Sequence, residues 1–347
     1  MAEKFLTLDH DEAERIVREA MVVARQEIPK GQVADYIPEL GKSDADKLGI
    51  CLYPLQGSKI CLGDYDTKFT MQSISKIFSL CIALELFGPE KLFEKIGAEP
   101  SGEAFNSLVE LDLNSNKPYN PLINSGAIAV AGMLIEEVSF HDMQIFAREL
   151  CDDEQVSLNR KVYDSEMATC ARNKAIAYLL ESKGIIETDV EDALRFYTKM
   201  CSLEASAESL ANFANRLAND GVGNISGKRY LSSETVRIVK TLMLTCGMYD
   251  GSGTYALEVG IPTKSGVGGG LMAVSNKRAG IGVFGPALDE KGNSIAGCRL
   301  LKEIAEKLRL SLFYDADNIA AAPKEYSLNK FSKARHLYEE KEKKSDE

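Results

Sequence analysis

Apolar positions near the start of the chain recur at helical spacing. Ile16, Ala20 and Val23 share one face of residues 11–28, Asp9 or Asp11 stands where an N-cap belongs, and Pro29 stops the run, which predicts an amphipathic surface helix. After GQVADYIPELGKSD come two short apolar runs, LGICLYP and SKICLGD, joined by LQG, the pattern of a strand hairpin. SISKIFSLCIALELFG is apolar on most faces and closes at Gly88-Pro89, as a buried helix would. From about residue 90 to 250 the pattern stays helical, with candidate helices at 125–137, 142–150, 166–182, 190–203, 207–218 and 232–246. Gly184, Gly221 and Gly247 are placed to end helices as left-handed caps. Near residue 261 three short runs with turn residues between them appear, before AGCRLLKEIAEKLRL returns to helix.

Strand patterns at both chain ends around a helical middle predict an α/β (α+β) architecture, an antiparallel sheet built from both ends with a mainly helical insertion packed against it. The expected sheet subdomain covers about residues 1–90 and 251–315 and the helical one about 91–250, with a cleft where they meet. Residues 316–347, dense in mixed charge and poor in periodic apolar content, are expected to form a solvated peripheral tail.

Composition then narrows the chemistry. Hydrophobic residues at 45% and charged residues at 27% are globular values, so most of the chain can bury a core. A net charge of −11 argues against a nucleic-acid partner, which needs a basic face, and favours a small polar substrate. The start, MAEKFLTLDHDEAERI, is too charged for a signal peptide and no apolar run approaches a membrane span, so a cytoplasmic protein with no membrane partner is expected. The eight cysteines show no CxxC pair and no metal-ligand spacing, and most lie in apolar runs, the pattern of buried reduced thiols. Only three histidines occur, His10, His141 and His336, each in a polar stretch. That argues against Ser-His-Asp hydrolysis, His-rich metal sites and HExxH zinc chemistry, all of which need imidazole at a defined place.

A serine can be activated without histidine. Ser73 and Lys76 form a Ser-x-x-Lys pair at the start of the buried helix, where a spacing of three puts both side chains on one face. A first-turn serine keeps an N–H without an intrahelical partner, and a desolvated lysine can lose its proton near neutral pH and serve as a base. The pattern alone is weak, since Ser327 and Lys330 repeat it in the polar tail. Lys264-Ser265-Gly266, on the first C-terminal strand candidate and followed by Val267 and three glycines, adds a segment where backbone N–H groups can meet a ligand closely.

Ser-x-x-Lys early, a helical middle and Lys-Ser-Gly late resemble the penicillin-recognising serine hydrolases. GQVADYIPEL (31–40), FTMQSISKIF (69–78), KPYNPLINSGAI (117–128), the Glu166 to Asn173 segment, Tyr197, MYDGSG (248–253) and TKSGVGGG (263–270) narrow this to a resemblance to the serine-dependent glutaminase family. The resemblance covers nearly all of residues 10–310 and implies a β-lactamase/transpeptidase-like fold for a catalytic domain over 1–315. It further implies Ser73 as nucleophile, Lys76 as its base, Tyr249 as proton relay and the N–H groups of Ser73 and Val267 as oxyanion donors. Tyr36, Gln72, Asn124, Glu166, Asn173 and Tyr197 would line the pocket, with Ser73, Tyr249 and Val267 also touching substrate. The implied reaction converts L-glutamine to L-glutamate and ammonia through an acyl-enzyme, with no metal or organic cofactor, in a homo-oligomer, dimer or tetramer.

The residues support that partition. A zwitterionic substrate must have both charges met in a dry pocket, and Glu166 suits the ammonium while Asn and Tyr donors suit the carboxylate. Seven positions apart on one expected helix, Glu166 and Asn173 would be nearly aligned. Ser265 stands where the wider superfamily often has Thr, and the hydroxyl is kept. No counterpart of that superfamily's middle Ser/Tyr-x-Asn motif is identified; its role could fall to Tyr249 or to the region of Asn120. Competing expectations are a penicillin-binding, β-lactamase-like or esterase activity on the same fold, an asparagine-hydrolysing enzyme, and a catalytically inactive amino-acid-binding or scaffold protein.

Overall fold

The computed structural model describes residues 9–101 and 117–314. Helix α1 (His10–Arg25) starts where the side chain of Asp9 accepts from the N–H of Glu12 at 2.9 Å, and it buries Ile16, Val17, Ala20 and Met21 along one stripe. The expected hairpin is β1 (Gly49–Pro54) with β2 (Ile60–Gly63), and the C-terminal runs are β6 (Thr263–Gly266), β7 (Gly270–Ser275) and β8 (Ala279–Phe284). They form one antiparallel sheet in the order β2-β1-β8-β7-β6, so strands from the two ends of the chain meet where β1 pairs with β8.

Both faces of this sheet are covered, and the strand alternation sorts them. Ile281 and Val283 join Ile50 and Leu52 of β1, α1 and α11 (Ile295–Lys307) in one core, while Met272, Val274 and Phe284 join a second core that includes Phe213. Phe213 lies on α8 (Ala207–Ala218), which crosses the sheet at close range. Gly280 and Gly282 permit that approach, because a Cβ at either position would strike the α8 backbone at Ala211 or Ala207.

The middle of the chain supplies helices around α2 (Ser75–Lys95), whose Ile77, Phe78, Leu80 and Cys81 have no solvent exposure. Gly88 (φ 73) interrupts α2 as expected, but the helix resumes after Pro89, which fits the first turn of the new segment. Around it stand α3 (Asn124–Leu134), α4 (Phe140–Cys151), α5 (Arg160–Thr169), α6 (Ala171–Ser182), α7 (Val190–Cys201) and α9 (Ser233–Cys246), the last followed by the short α10 (Ser252–Glu258). A second small sheet, unexpected from the sequence, orders β3 (Phe69–Thr70), β5 (Leu203–Ala205) and β4 (Ser157–Leu158) as β3-β5-β4. These strands have two or three residues each, too few for a period-2 pattern to show.

Three expectations need correction. Cys51 and Cys61 stand opposite each other in the β1–β2 register and are joined as a disulfide, so not all eight cysteines are free. Direct cross-strand partners bring their Cβ atoms together, a proximity that a separation of 10 in sequence does not display. Cys298 is only half-buried, whereas the other free cysteines are buried. Gly184 (φ 69) and Gly221 (φ 79) are left-handed, but Gly247 is right-handed at φ −75 and is needed for space, its Cβ position being occupied by the carbonyl of Thr263. The tail 316–347, with His336, Ser327 and Lys330, lies outside the described residues. Among the described residues no helix is long and apolar enough to cross a membrane.

Candidate active site

The segment that carries Ser73 is fixed from both sides before the helix begins. The N–H of Met71 donates to the carbonyl of Leu203 at 2.8 Å, anchoring β3 to β5, and Ser75 Oγ donates back to the carbonyl of Gln72 at 2.8 Å. Between these anchors Gln72 takes a left-handed conformation (φ 48), rare for a residue with a Cβ, and the tight turn Gln72–Ile74 leads into α2. Ser73 therefore lies in a 3-10 turn immediately before the α-helix, with Lys76 one turn further on; their exposures are 7% and 2%.

Lys76 is held by Asn124 and the turn before it. Its Nζ donates to Asn124 Oδ1 at 2.7 Å and to the carbonyl of Leu122 at 3.2 Å. Asn120 shapes this turn, its Oδ1 accepting from the N–H groups of Leu122 and Ile123 at 2.9 and 3.2 Å. Two donated bonds use both N–H groups of a neutral amine and leave its lone pair for another partner. Burial lowers Lys76 to about 8, with Cys201 and Glu166 acting in the opposite direction. Cys201 is itself pushed up to about 12, first by burial, so it is a neutral thiol near neutral pH.

Tyr249 approaches from the opposite side, in the turn after α9. It is 8% exposed, has φ 55, and its hydroxyl donates to the carbonyl of Ser265 at 3.2 Å. A phenol that donates to Ser265 presents its lone pairs to the Ser73 hydroxyl, with which it is also hydrogen-bonded. Burial raises Tyr249 above the ordinary phenol range, against the hydrogen bond from Ser73. Beneath the ring, 4.5 Å from its centroid, lies Lys264 Nζ, fully buried, which donates to the carbonyls of Gly247 and Ser265 at 3.1 and 2.7 Å. Burial, then repulsion from Lys76, holds Lys264 well below the ordinary lysine range. Lys264 thus ties the Tyr249 turn to β6. Its presence in the late motif was evident in the sequence, but this positioning contact was not.

Ser73 opens on a cavity of about 100 Å³ lined by Tyr36, Gln72, Asn124, Glu166, Asn173, Tyr197 and Val267, together with Ile37, Thr169, Cys170 and Arg172. All the pocket residues expected from the sequence other than Tyr249 line it directly, and Tyr249 reaches it through Ser73. Tyr36 stands 54% exposed, while Val267, in the turn after β6, is buried. Tyr197 on α7 puts its ring centroid 6.0 Å from Lys76 Nζ.

Glu166 and Asn173 converge by a different route from the one expected. The helix predicted over 166–182 is two helices, α5 and α6, broken at Cys170 (φ −84, ψ 19), so the two residues do not share one helical face. Thr169 Oγ1 donates to the carbonyl of Ser165 at 3.1 Å and Cys170 Sγ to that of Met167 at 3.0 Å, local bonds that compete with the regular helix at the break. Asn124 Nδ2 donates to Asn173 Oδ1 at 3.0 Å, linking this wall to Lys76. Glu166, 6% exposed, meets Gln72 Nε2 at 3.4 Å. Burial raises its carboxyl to about 7, opposed by the Gln72 hydrogen bond and by Lys76. A buried carboxyl poised near neutrality and facing a cavity is a ready partner for a cationic ligand group.

The arrangement offers a buried serine hydroxyl, a depressed lysine, a phenol bridging serine to backbone, and a pocket with one acid and several neutral donors. Comparison with known proteins bears on it directly. A family model described as Glutaminase matches residues 31–313. Glutaminase 2 of Clostridium perfringens is 48% identical over 293 residues, covering 83% of this chain and 96% of its own. A Clostridium tetani glutaminase is 48% identical over 305 residues, covering 86% of this chain and 98% of its own. The fold is also similar to that of a Bacillus subtilis glutaminase solved as a covalent complex with 5-oxo-L-norleucine, at 36% identity and a TM-score of 0.78, covering 86% of this chain and 98% of that one.

Proposed function

Because the chain belongs to the glutaminase family of amidohydrolases, we propose that it hydrolyses the side-chain amide of L-glutamine to L-glutamate and ammonia. The observation that carries this reading is a cavity on which Ser73 opens, with Tyr249 hydrogen-bonded to Ser73, Lys76 hydrogen-bonded to Asn124 of the cavity wall, and Glu166 as the buried acid. The covalent complex of the Bacillus subtilis relative supports a nucleophile in the corresponding fold.

In the proposed reaction the Glu166 carboxylate receives the substrate ammonium, and Asn and Tyr side chains of the cavity meet the α-carboxylate. Ser73 Oγ attacks the side-chain carbonyl carbon while its proton passes to the neutral amine of Lys76. The oxyanion is met by the N–H groups of Ser73 and Val267, whose hydrogen bonds strengthen as charge develops. The C–N bond then breaks, Tyr249 relays the proton that completes ammonia, and Ser73 is left as a γ-glutamyl ester. Water attacks the ester, gives its proton back through the same groups, and L-glutamate leaves. Ammonia release measured in parallel with L-glutamine, L-asparagine and D-glutamine tests the reading. The expected result is preference for L-glutamine; one methylene is worth about 1–3 kcal/mol in such discrimination. Equal or greater turnover of L-asparagine would replace the substrate, and no ammonia from any of the three would overturn the reading.

A further inference from the structure

Tyr249 and Val267 come from different segments, the turn after α9 and the turn after β6, and in the proposed reaction they act on one tetrahedral centre. A third segment meets both. A Cβ built on Gly292 would stand 3.4 Å from Val267 Cγ1 and 3.6 Å from Tyr249 Cε2, so this glycine is the common neighbour of the phenol and of the turn that carries the Val267 N–H. Tyr249 is left-handed (φ 55), a conformation that a residue with a Cβ keeps only where its surroundings hold it. Lys264 supports the ring from one side, and the Gly292 contact is a second support.

The position of Gly292 is fixed by Asp289. Asp289 Oδ1 accepts from the N–H groups of Lys291 at 3.0 Å and Asn293 at 2.9 Å, its own N–H donates to the carbonyl of Asn293 at 2.8 Å, and its carbonyl accepts from the N–H of Gly292 at 3.0 Å. An aspartate that bonds the backbone just ahead of it closes a turn on itself, and Gly292 supplies the left-handed φ of 89 within that turn. Both ends of the turn are tied down. Leu288, before it, exchanges two N–H···O bonds of 2.9 Å with Gln32 and packs in one apolar cluster with Tyr249 and Val267. Ser294, after it, caps α11, its Oγ accepting from the N–H of Gly297 at 3.1 Å. We propose that Asp289 is a positioning residue for the reaction: by closing the 289–293 turn it holds Gly292 against Tyr249 and Val267 and so aligns the proton relay with the oxyanion donor. Asp289 does not line the cavity at Ser73, so it acts through those two residues and not by touching substrate. The proposal rests on the acyl-transfer reading, which gives Tyr249 and Val267 their tasks.

The tasks of both residues belong to the transition state, so a misaligned pair should lower kcat and spare KM. Ammonia release from L-glutamine by Asp289→Ala should show kcat reduced about 100-fold with KM changed by less than about threefold. Asp289→Asn keeps an Oδ1 acceptor for both N–H groups and should stay within about threefold of the wild type, and Asp289→Ser, whose hydroxyl closes such turns more weakly, should lose about tenfold. The serine variant carries the test if the alanine variant does not fold. A second measurement is independent of substrate: in protein labelled with 3-fluorotyrosine, the ¹⁹F resonance that Tyr249→Phe removes should shift or broaden in Asp289→Ala and stay in place in Asp289→Asn. A wild type that releases no ammonia would sink the glutaminase reading, and the resonance would still decide whether Asp289 positions Tyr249. A kcat within about threefold of the wild type in Asp289→Ala or, should that variant not fold, in Asp289→Ser, a loss shared by Asp289→Asn, or an unmoved Tyr249 resonance would overturn the proposal.

Discussion

Replacing Glu166 by Gln keeps the size of the side chain and removes its charge, and its effects on rate against pH can be worked out in advance. In the proposed reaction two groups must be in the right state at once: Glu166 ionised to hold the substrate ammonium, and Lys76 neutral to take the Ser73 proton. Glu166 stands at about 7 and Lys76 at about 8. At pH 6 Glu166 is about one-tenth ionised and Lys76 about one-hundredth neutral, whereas at pH 9 Glu166 is essentially all ionised and Lys76 about nine-tenths neutral. The logarithm of kcat/KM, which reports the free enzyme and free substrate, should rise with slope two below about pH 7, with slope one between about 7 and 8, and level off above until the substrate ammonium itself loses its proton. Glu166→Gln removes one of those protons, so the acid limb should fall to slope one. The carboxylate also helps Lys76 keep its proton, so without it the remaining limb should move to lower pH. Loss of a buried charge partner costs about 2–5 kcal/mol, or about 30-fold to several thousand-fold, and it should appear mainly in KM because the ammonium is bound alike in ground and transition states. Steady-state ammonia release from about pH 5.5 to 9.5 measures all of this. A variant whose limb keeps slope two, moves to higher pH, or shows an unchanged KM would refute the reasoning.

Asn124→Asp places a carboxylate against Lys76 Nζ, now 2.7 Å from Asn124 Oδ1, and should raise the lysine so that kcat/KM at pH 7 falls about tenfold or more and recovers in alkali; a pH profile that stays in place would contradict this. Lys264→Met keeps a side chain of similar length under Tyr249 but releases the carbonyls of Gly247 and Ser265; stopped-time assays should show kcat reduced about 100-fold with KM changed by less than about threefold. Gly282→Ala drives a methyl group into the carbonyl of Ala207, and denaturant unfolding should show a loss of about 1–3 kcal/mol or more, with no such loss for Gly253→Ala, where an added methyl group meets nothing.

Much of this architecture was legible in the chain. Apolar stripes with polar breaks located α1, α7, α8 and α9 within a few residues, because those helices lie against a core on one side and their side chains record it. The two-ended sheet followed from short runs at 49–54 and 263–284. What stayed hidden depended on contacts between distant segments. The break at Cys170 rests on hydrogen bonds from Thr169 and Cys170 back to carbonyls, within a stretch that keeps its helical periodicity. The Cys51–Cys61 pairing depends on hairpin register, and β3-β5-β4 on pairing between segments far apart in the chain. At the site, the residue types of Ser73, Lys76 and Glu166 were visible, but the role of Asn124 as a bridge between Lys76 and Asn173 and of Lys264 as a prop for Tyr249 appears only when helices and strands are assembled.

Glutamine hydrolysis through an ester on Ser73 is tested most directly by acid-quenching the enzyme during turnover of L-glutamine and mapping its peptides by mass spectrometry, alongside ammonia release from Ser73→Ala. The expected result is a γ-glutamyl group on the peptide carrying Ser73, absent from Ser73→Ala, with ammonia release in that folded variant reduced at least about 10⁴-fold. Ammonia release from Ser73→Ala at the wild-type rate, or the acyl group on another residue, would contradict it.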